Sequence, residues 1–110
     1  MTEIVKIKEN RDFQRIYKKG KSFVSPVLVT YVFKNRSRNV RYGITTSKKT
    51  GNAVQRNRSR RIIRAAFAEI SEQIPMGYDF IFVARGKTSA QKSTDIVVCM
   101  LKQLKQAGVF

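Results

Sequence analysis

The stretch NAVQRNRSRRIIRAAFAEISEQI, from Asn52 to Ile74, carries the strongest local pattern in the chain. Successive residues of an α-helix lie ~100° apart around its axis, so side chains three and four apart share a face. The apolar side chains fall on one arc: Ile62, Ile63, Ala66, Phe67 and Ile70. A polar set, which we call the arginine face, fills the other side: Arg56, Asn57, Arg58, Arg60, Arg61 and Arg64. The pattern predicts a helix from Asn52 to about Ile74, ended by Pro75 and Gly77 and packed on a sheet.

The arginine face favours contact with nucleic acid over a merely solvated helix surface or an anionic membrane surface. Solvated faces usually place Glu four residues from Lys or Arg, whereas Arg56, Arg60 and Arg64 are like charges at that spacing. Arginine binds phosphate in a bidentate manner and stacks on bases. The membrane alternative is the weakest, because the opposite face carries β-branched and aromatic side chains suited to a core. Lys48 and Lys49 extend the positive charge into the loop before the helix, whose first N–H groups favour anions.

The distribution of charge along the whole chain also favours binding to nucleic acid. The chain has 110 residues and a net charge of +16, from 23 Lys and Arg against 7 Asp and Glu. Between Phe13 and Ala68 there is no acidic residue, and 15 of the 23 basic residues lie there. Binding to a polyanion would offset the self-repulsion of such a stretch. The length fits one domain, residues 1–110, and the 42 % of hydrophobic residues supports a modest core.

Missing residue types exclude most catalytic arrangements. The chain has no His and a single cysteine, Cys99, so it cannot contain a Ser-His-Asp triad, a Cys-His pair or an intrachain disulfide. No catalytic set and no metal site are expected, although a metal-dependent nuclease using Asp12, Asp79 and Asp95 is kept as an alternative. No apolar run reaches membrane-spanning length, and the first ten residues lack the apolar core of a signal peptide. We therefore expect a cytoplasmic protein without membrane attachment.

The remaining periodicities predict an α/β (α+β) two-layer sandwich, in the order helix, strands, helix, strand, helix. Asn10 is predicted to cap a first helix that ends at Gly20. The predicted strands are Phe23–Phe33, Val40–Thr46 and Tyr78–Ala84. Basic turns are predicted at Lys34–Asn39, Ser47–Gly51 and Arg85–Lys87, and a last helix from about Ser89 to Gln106.

A second candidate surface combines aromatic and basic side chains. Phe13 and Tyr17 are one helical turn apart, and Tyr31 is predicted to share a strand face with Val27, Val29 and Phe33. These rings would be ordinary core residues in the simplest interpretation. The tyrosine hydroxyls, however, suit a partly open groove, and Arg15, Lys18, Lys19 and Lys21 are close in sequence. Stackable rings with a basic rim are typical of single-stranded nucleic-acid binding, and Arg85 is a candidate for lining the same groove.

The sequence also resembles a known family. The stretch YGITTSKKTGNAVQRNRSRRIIRAAF, Tyr42–Phe67, is similar to the signature region of the bacterial ribonuclease P protein subunit, with RNRSRRIIR at its centre. NRDFQRIYKKGKS, Asn10–Ser22, resembles the first helix of that family, and YDFIFVARGKTS, Tyr78–Ser89, resembles its last strand and turn. The resemblance implies a sandwich similar to the second domain of ribosomal protein S5, with a left-handed βαβ crossover.

The resemblance further implies the small, non-catalytic protein subunit of a ribonucleoprotein endonuclease. A large RNA would supply the active site and its Mg²⁺ ions, and the holoenzyme would remove the 5′ leader of precursor tRNA. The expected partners are therefore ribonuclease P RNA and precursor tRNA, with no obligate protein partner. A structural RNA-binding protein of the ribosomal type stays an alternative, because charge and composition do not separate the two.

The resemblance assigns roles residue by residue. It implies that the arginine face, together with Lys48 and Lys49, contacts the catalytic RNA. It also implies a cleft that holds the single-stranded leader: Phe13, Tyr17, Tyr31, Asn52 and Arg85. Two positions depart from the family pattern, since Tyr17 stands where Phe is frequent and Arg60 where Lys is frequent.

Overall fold

A computed structural model describes residues 3–110, with side chains from Ile4 onward. Its helices are α1 (Asn10–Lys19), α2 (Ala53–Ile70) and α3 (Ser93–Gln106). Its strands are β1 (Glu3–Lys6), β2 (Lys21–Val24), β3 (Leu28–Lys34), β4 (Asn39–Thr45) and β5 (Tyr78–Ala84). Short 3-10 turns occupy Lys48–Thr50, Ser71–Gln73 and Thr88–Ala90.

The five strands form one mixed sheet in the order β1-β4-β5-β3-β2. β1 and β5 both run parallel to β4, whereas β3 is antiparallel to β5 and to β2. The connection β4-α2-β5 joins two adjacent parallel strands, so it is the crossover for which the resemblance implies a left-handed sense. The mixed α+β class is confirmed; the handedness and the likeness to ribosomal protein S5 stay predictions.

The helices lie on both faces of the sheet. Along β5, Phe80 and Phe82 pack with α2 and α3, whereas Ile81 packs with α1. This alternation follows from the two-residue period of a strand. The sheet and the α2–α3 layer form the predicted sandwich, and α1 lies alone on the opposite face. Because α1 is a single short helix, part of that face stays open beside it.

Two strand predictions differ in their bounds: β4 lies one residue earlier than the predicted Val40–Thr46, and the larger difference concerns the first strand. The predicted strand Phe23–Phe33 is two strands, β2 and β3, which form a hairpin around Ser25. The Ser25 hydroxyl accepts from the backbone N–H groups of Val27 and Leu28, and Pro26 has no N–H to continue a ladder. Val27 therefore lies in the turn and packs with the α2–α3 layer, not on the face of Tyr31. The edge strand β1 was not predicted at all.

Helix ends also differ from the predictions. Asn10 is the first residue of α1, not its cap, and no side chain caps that end. α2 ends at Ile70 and is followed by a 3-10 turn, four residues before the predicted end. α3 begins at Ser93, where the Asp95 carboxylate accepts from the Lys92 N–H at 3.0 Å.

A buried ion pair fixes α1 against the sheet. The Asp79 carboxylate is fully buried and accepts from Arg41 Nε at 2.9 Å and from Arg41 Nη2 at 2.6 Å. Asn35 Nδ2 donates to the same carboxylate at 2.6 Å. Arg41 also lies 3.5 Å from the Asp12 carboxylate on α1. The hydrogen bond to Asp79 is the main reason that the pKa of Arg41 is raised, so the guanidinium stays charged.

Candidate nucleic-acid interface

The arginine face begins at a well-defined helix start. Asn52 Oδ1 accepts from the Gln55 N–H, and Gln55 Oε1 accepts from the Asn52 N–H, both at 2.9 Å. This reciprocal pair satisfies two backbone groups that a helix start would leave unpaired. Packing of Ile63, Ala66 and Phe67 in the core turns the arginines of α2 outward.

The exposure of α2 follows the predicted helical wheel. Asn57, Arg58, Arg61 and Arg64 are exposed, while Arg56 and Arg60 are partly buried. Asn57, Arg60, Arg61 and Arg64 line one shallow depression. Within the described residues, no acidic side chain lies within 4.0 Å of any of the five arginines. The described part of the chain therefore leaves their charge available to an external anion.

Two arginines of this face are held by neighbours. Arg60 Nη1 donates to Asn57 Oδ1 at 3.0 Å, and Arg60 Nη2 donates to Thr46 Oγ1 at 2.7 Å. Arg58 Nε donates to the Ser89 carbonyl at 2.7 Å, which turns Arg58 towards the segment before α3. Because Arg58 reaches this segment, the arginine face extends further towards α3 than the helical wheel indicates.

The three predicted cleft rings meet on the α1 side of the sheet. The ring centroids of Tyr17 and Tyr31 are 4.8 Å apart at 84°, and those of Phe13 and Tyr17 are 6.5 Å apart. Tyr17 is 39 % exposed, whereas Phe13 and Tyr31 are partly buried. We call Phe13, Tyr17 and Tyr31 the aromatic cleft. Its rings are neither sealed in the core nor free in solvent, which suits stacking on a base.

The predicted basic rim of the cleft is wrong for two residues. Arg15 and Lys19 line a separate concave surface with Phe33 and Lys34, across α1 from Tyr17. Arg15 Nη2 is also paired with Asp12 Oδ1 at 2.7 Å. The reason is helical periodicity, since a residue two positions from Tyr17 points about 160° away from it.

The other predicted site residues lie where the parallel strands end. Lys48 and Lys49 are exposed in their 3-10 turn, which Thr50 Oγ1 links to the Ala84 carbonyl at 3.4 Å. Arg85 follows β5 directly, and its Nη1 donates to the Ser25 carbonyl at 3.0 Å. Asn52 is exposed, and the hydrogen bond that its side chain makes is the one that caps α2.

Sequence reasoning missed Thr45 and Thr46 at the end of β4. Tyr17 Oη donates to Thr45 Oγ1 at 3.3 Å, and Thr46 accepts from Arg60. Threonine is common in strands, so no residue-level signal distinguished this pair. Only the positions of α1 and α2 on opposite faces show that the two threonines contact different surfaces.

The described residues offer little for metal binding or membrane insertion. Among residues 3–110, no three His, Cys, Asp or Glu side chains come together as a metal site would require. None of the described helices is long and apolar enough to cross a membrane.

Comparison with known proteins decides the family. The sequence model of the family described as Ribonuclease P matches residues 1–108. The chain belongs to the ribonuclease P protein family. A Ribonuclease P protein component of Clostridioides difficile is 45 % identical over 104 residues, which cover 94 % of this chain and 91 % of that protein. One from Clostridium botulinum is 37 % identical over 106 residues, covering 96 % of each.

Solved structures of ribonuclease P proteins have the same fold. The Staphylococcus aureus RNase P protein superimposes with a TM-score of 0.82 at 40 % identity, covering 96 % of both chains. The RNase P protein from Thermotoga maritima gives a TM-score of 0.79 at 30 % identity, covering 92 % of this chain and 96 % of that one. A role in tRNA processing follows from the family.

Proposed function

We propose that this ribonuclease P protein binds the catalytic RNA through the arginine face and the 5′ leader of precursor tRNA through the aromatic cleft. In this proposal it is the non-catalytic subunit, and it assists Mg²⁺-dependent removal of the leader by the RNA in the cytoplasm. The observation that carries the proposal is the arginine face, whose charge has no acidic partner in the described residues.

The arginine face supports an electrostatic contact with folded RNA. Five arginines lie on one side of a single helix, and a guanidinium binds phosphate in a bidentate manner that lysine cannot reproduce. If each neutralises one phosphate, the logarithm of affinity falls with the logarithm of salt with a slope of about −3.5 to −4.5. A slope near zero would contradict this mechanism.

The aromatic cleft supports contact with an unpaired strand. Tyr17 is 39 % exposed and packs at 84° against Tyr31, so part of its ring is accessible to a base. Stacking on aromatic rings tolerates any base sequence, which fits leaders that differ from one tRNA to another. In this proposal Arg85, which follows β5, contacts a phosphate of the leader.

The acids of this chain do not fit a Mg²⁺ site. Asp79 is bound by Arg41 and Asn35, Asp12 is bound by Arg15, and Asp95 accepts the hydrogen bond that caps α3. A hard cation would need several free oxygen ligands in one place. We therefore assign the metal chemistry to the RNA. Because these carboxylates already have hydrogen-bond partners, they also argue against a metal-dependent nuclease built from these acids.

Reconstitution tests the proposal. Purified protein, free of host RNA, is mixed with a bacterial ribonuclease P RNA and labelled precursor tRNA at low Mg²⁺, beside protein alone and RNA alone. We expect cleavage at the mature 5′ end to be stimulated only when both components are present. No gain over RNA alone would favour the ribosomal type of RNA-binding protein, and cleavage by protein alone would favour the nuclease.

A further inference from the structure

The last residue of β4, Thr45, and the residue after it, Thr46, each contact one of the two candidate surfaces. Thr45 and Thr46 project to opposite faces of the sheet, as neighbours on an extended strand do. The Thr45 hydroxyl accepts from Tyr17 of the aromatic cleft, and the Thr46 hydroxyl accepts from Arg60 of the arginine face. Both threonines are partly buried; the hydrogen bond from Arg60 to Thr46 is partly shielded from bulk water, whereas the bond from Tyr17 to Thr45 is exposed.

Within the arginine face, Arg60 is the side chain whose orientation the structure restricts most. Its Nη1 and Nη2 each donate one hydrogen bond, to Asn57 and to Thr46, and its side chain is partly buried. A guanidinium has five N–H donors, so three have no protein acceptor among the described residues. Arg61 and Arg64 are exposed and have no such restraint among the described residues.

We propose that Thr46 is a positioning residue that holds Arg60 for the catalytic RNA, while Thr45 holds Tyr17 for the leader. Through this pair, β4 fixes the distance between the two RNA-binding surfaces. A side chain that is already ordered loses less conformational entropy when it binds, so the hydroxyl raises affinity without touching RNA itself. This inference rests on the proposed function.

A double-mutant cycle on binding of ribonuclease P RNA tests the role of Thr46. Thr46→Val keeps the shape and removes the acceptor, and we expect affinity to fall by about 3- to 10-fold. Thr46→Ser keeps the hydroxyl and should restore wild-type affinity. In an Arg60→Gln background Thr46→Val should cost nothing more, whereas in an Arg61→Gln background it should keep its full effect.

The free protein provides a second readout. Guanidinium exchange and rotation at Arg60, followed by NMR, should be slow in the wild type and in Thr46→Ser, and faster in Thr46→Val. Should Thr46→Val fail to fold, Thr46→Ala removes the same hydroxyl and is measured in its place. A merely structural role would not change Arg60 while leaving Arg61 unaffected.

The role of Thr45 is tested by the ratio of the affinities of the reconstituted holoenzyme for precursor and mature tRNA. Thr45→Val should lower this ratio by about 2- to 5-fold, and by no more when Tyr17→Phe is already present. Equal losses from Thr46→Val in both arginine backgrounds, or additive losses from Thr45→Val and Tyr17→Phe, would overturn the inference while leaving the proposed function standing. Wild-type protein that does not bind the RNA would overturn both.

Discussion

Arg41 and Asp79 lie side by side on β4 and β5, and the Asp79 carboxylate binds the Arg41 guanidinium through both of its oxygens. The carboxylate is fully buried, while the arginine keeps part of its surface and reaches Asp12 on α1. This pair therefore adds a polar contact to the packing of Ile16 and Phe13 that holds α1, and with it the aromatic cleft, on the sheet. The one deeply buried charge among the described residues thus stabilises a binding surface that it does not line.

Replacing the buried carboxylate should destabilise the fold. Asp79→Asn removes the charge that faces Arg41 and leaves the guanidinium with Asp12 alone. We expect a loss of about 3 kcal/mol of unfolding free energy, at the low end for breaking a buried pair, because Arg41 is partly solvated. Urea denaturation measures it. An unchanged midpoint would show that Asp12 compensates fully and that the pair does not anchor α1.

Gly43 is required for the close approach of α1. A Cβ at this position would lie 2.6 Å from Phe13 Cε1, whereas a Cβ at Gly86 would meet nothing within 4 Å. We expect Gly43→Ala to cost about 1–3 kcal/mol of stability and to displace Phe13 from the cleft. Gly86→Ala is the matched control and should leave the melting temperature within about 2 °C of the wild type. Similar effects of the two substitutions would contradict the packing argument.

Charge reversal on the arginine face should weaken RNA binding more than the same reversal elsewhere. Arg60→Glu/Arg64→Glu removes two proposed phosphate contacts, so the slope of log affinity against log salt should become less negative by about 1.4–1.8. Lys102→Glu/Lys105→Glu makes the same change of charge at exposed positions on α3. Filter binding over a salt series compares the two. If both variants change the slope equally, net charge and not the arginine face governs affinity.

Removing the exposed ring of the cleft should affect only substrates that carry a leader. Stacking of one base on an aromatic ring contributes about 1–3 kcal/mol, so Tyr17→Ala should weaken holoenzyme binding of precursor tRNA by at least about 5-fold. Mature tRNA, measured beside it, should bind as it does to the wild-type holoenzyme. Equal weakening for both would assign Tyr17 to the body of the tRNA or to the catalytic RNA.

Several secondary-structure elements of this protein were predictable from local sequence patterns. The strand Tyr78–Ala84 was predicted with its observed bounds, because an apolar run interrupted only by Asp79 and bounded by Gly77 and Arg85 has few other structures. The buried side of α2 was also predicted, since Ile63, Ala66, Phe67 and Ile70 follow the helical period. The proximity of Phe13, Tyr17 and Tyr31 was predicted by combining one face of a helix with one face of a strand. The distances between the rings confirm that proximity.

Other features were decided by contacts between residues far apart in sequence. The hairpin at Ser25 was missed because β-prone residues precede Ser25 and resume directly after Pro26, and β1 was missed because it gains its partner only in the sheet. The placement of Arg15 and Lys19 away from the cleft depended on how α1 lies across the strands.

The sequence by itself determined the family, the periodic faces of α2 and the strand β5, because these depend on residue type and on spacing along the chain. Only the tertiary structure decided which surfaces lie next to each other across the sheet. Thr45 and Thr46 acquire their partners only when α1 and α2 pack on opposite faces of one sheet. Local periodicity gives the side of an element on which a residue lies, but the neighbour across the sheet is set by packing of the whole chain.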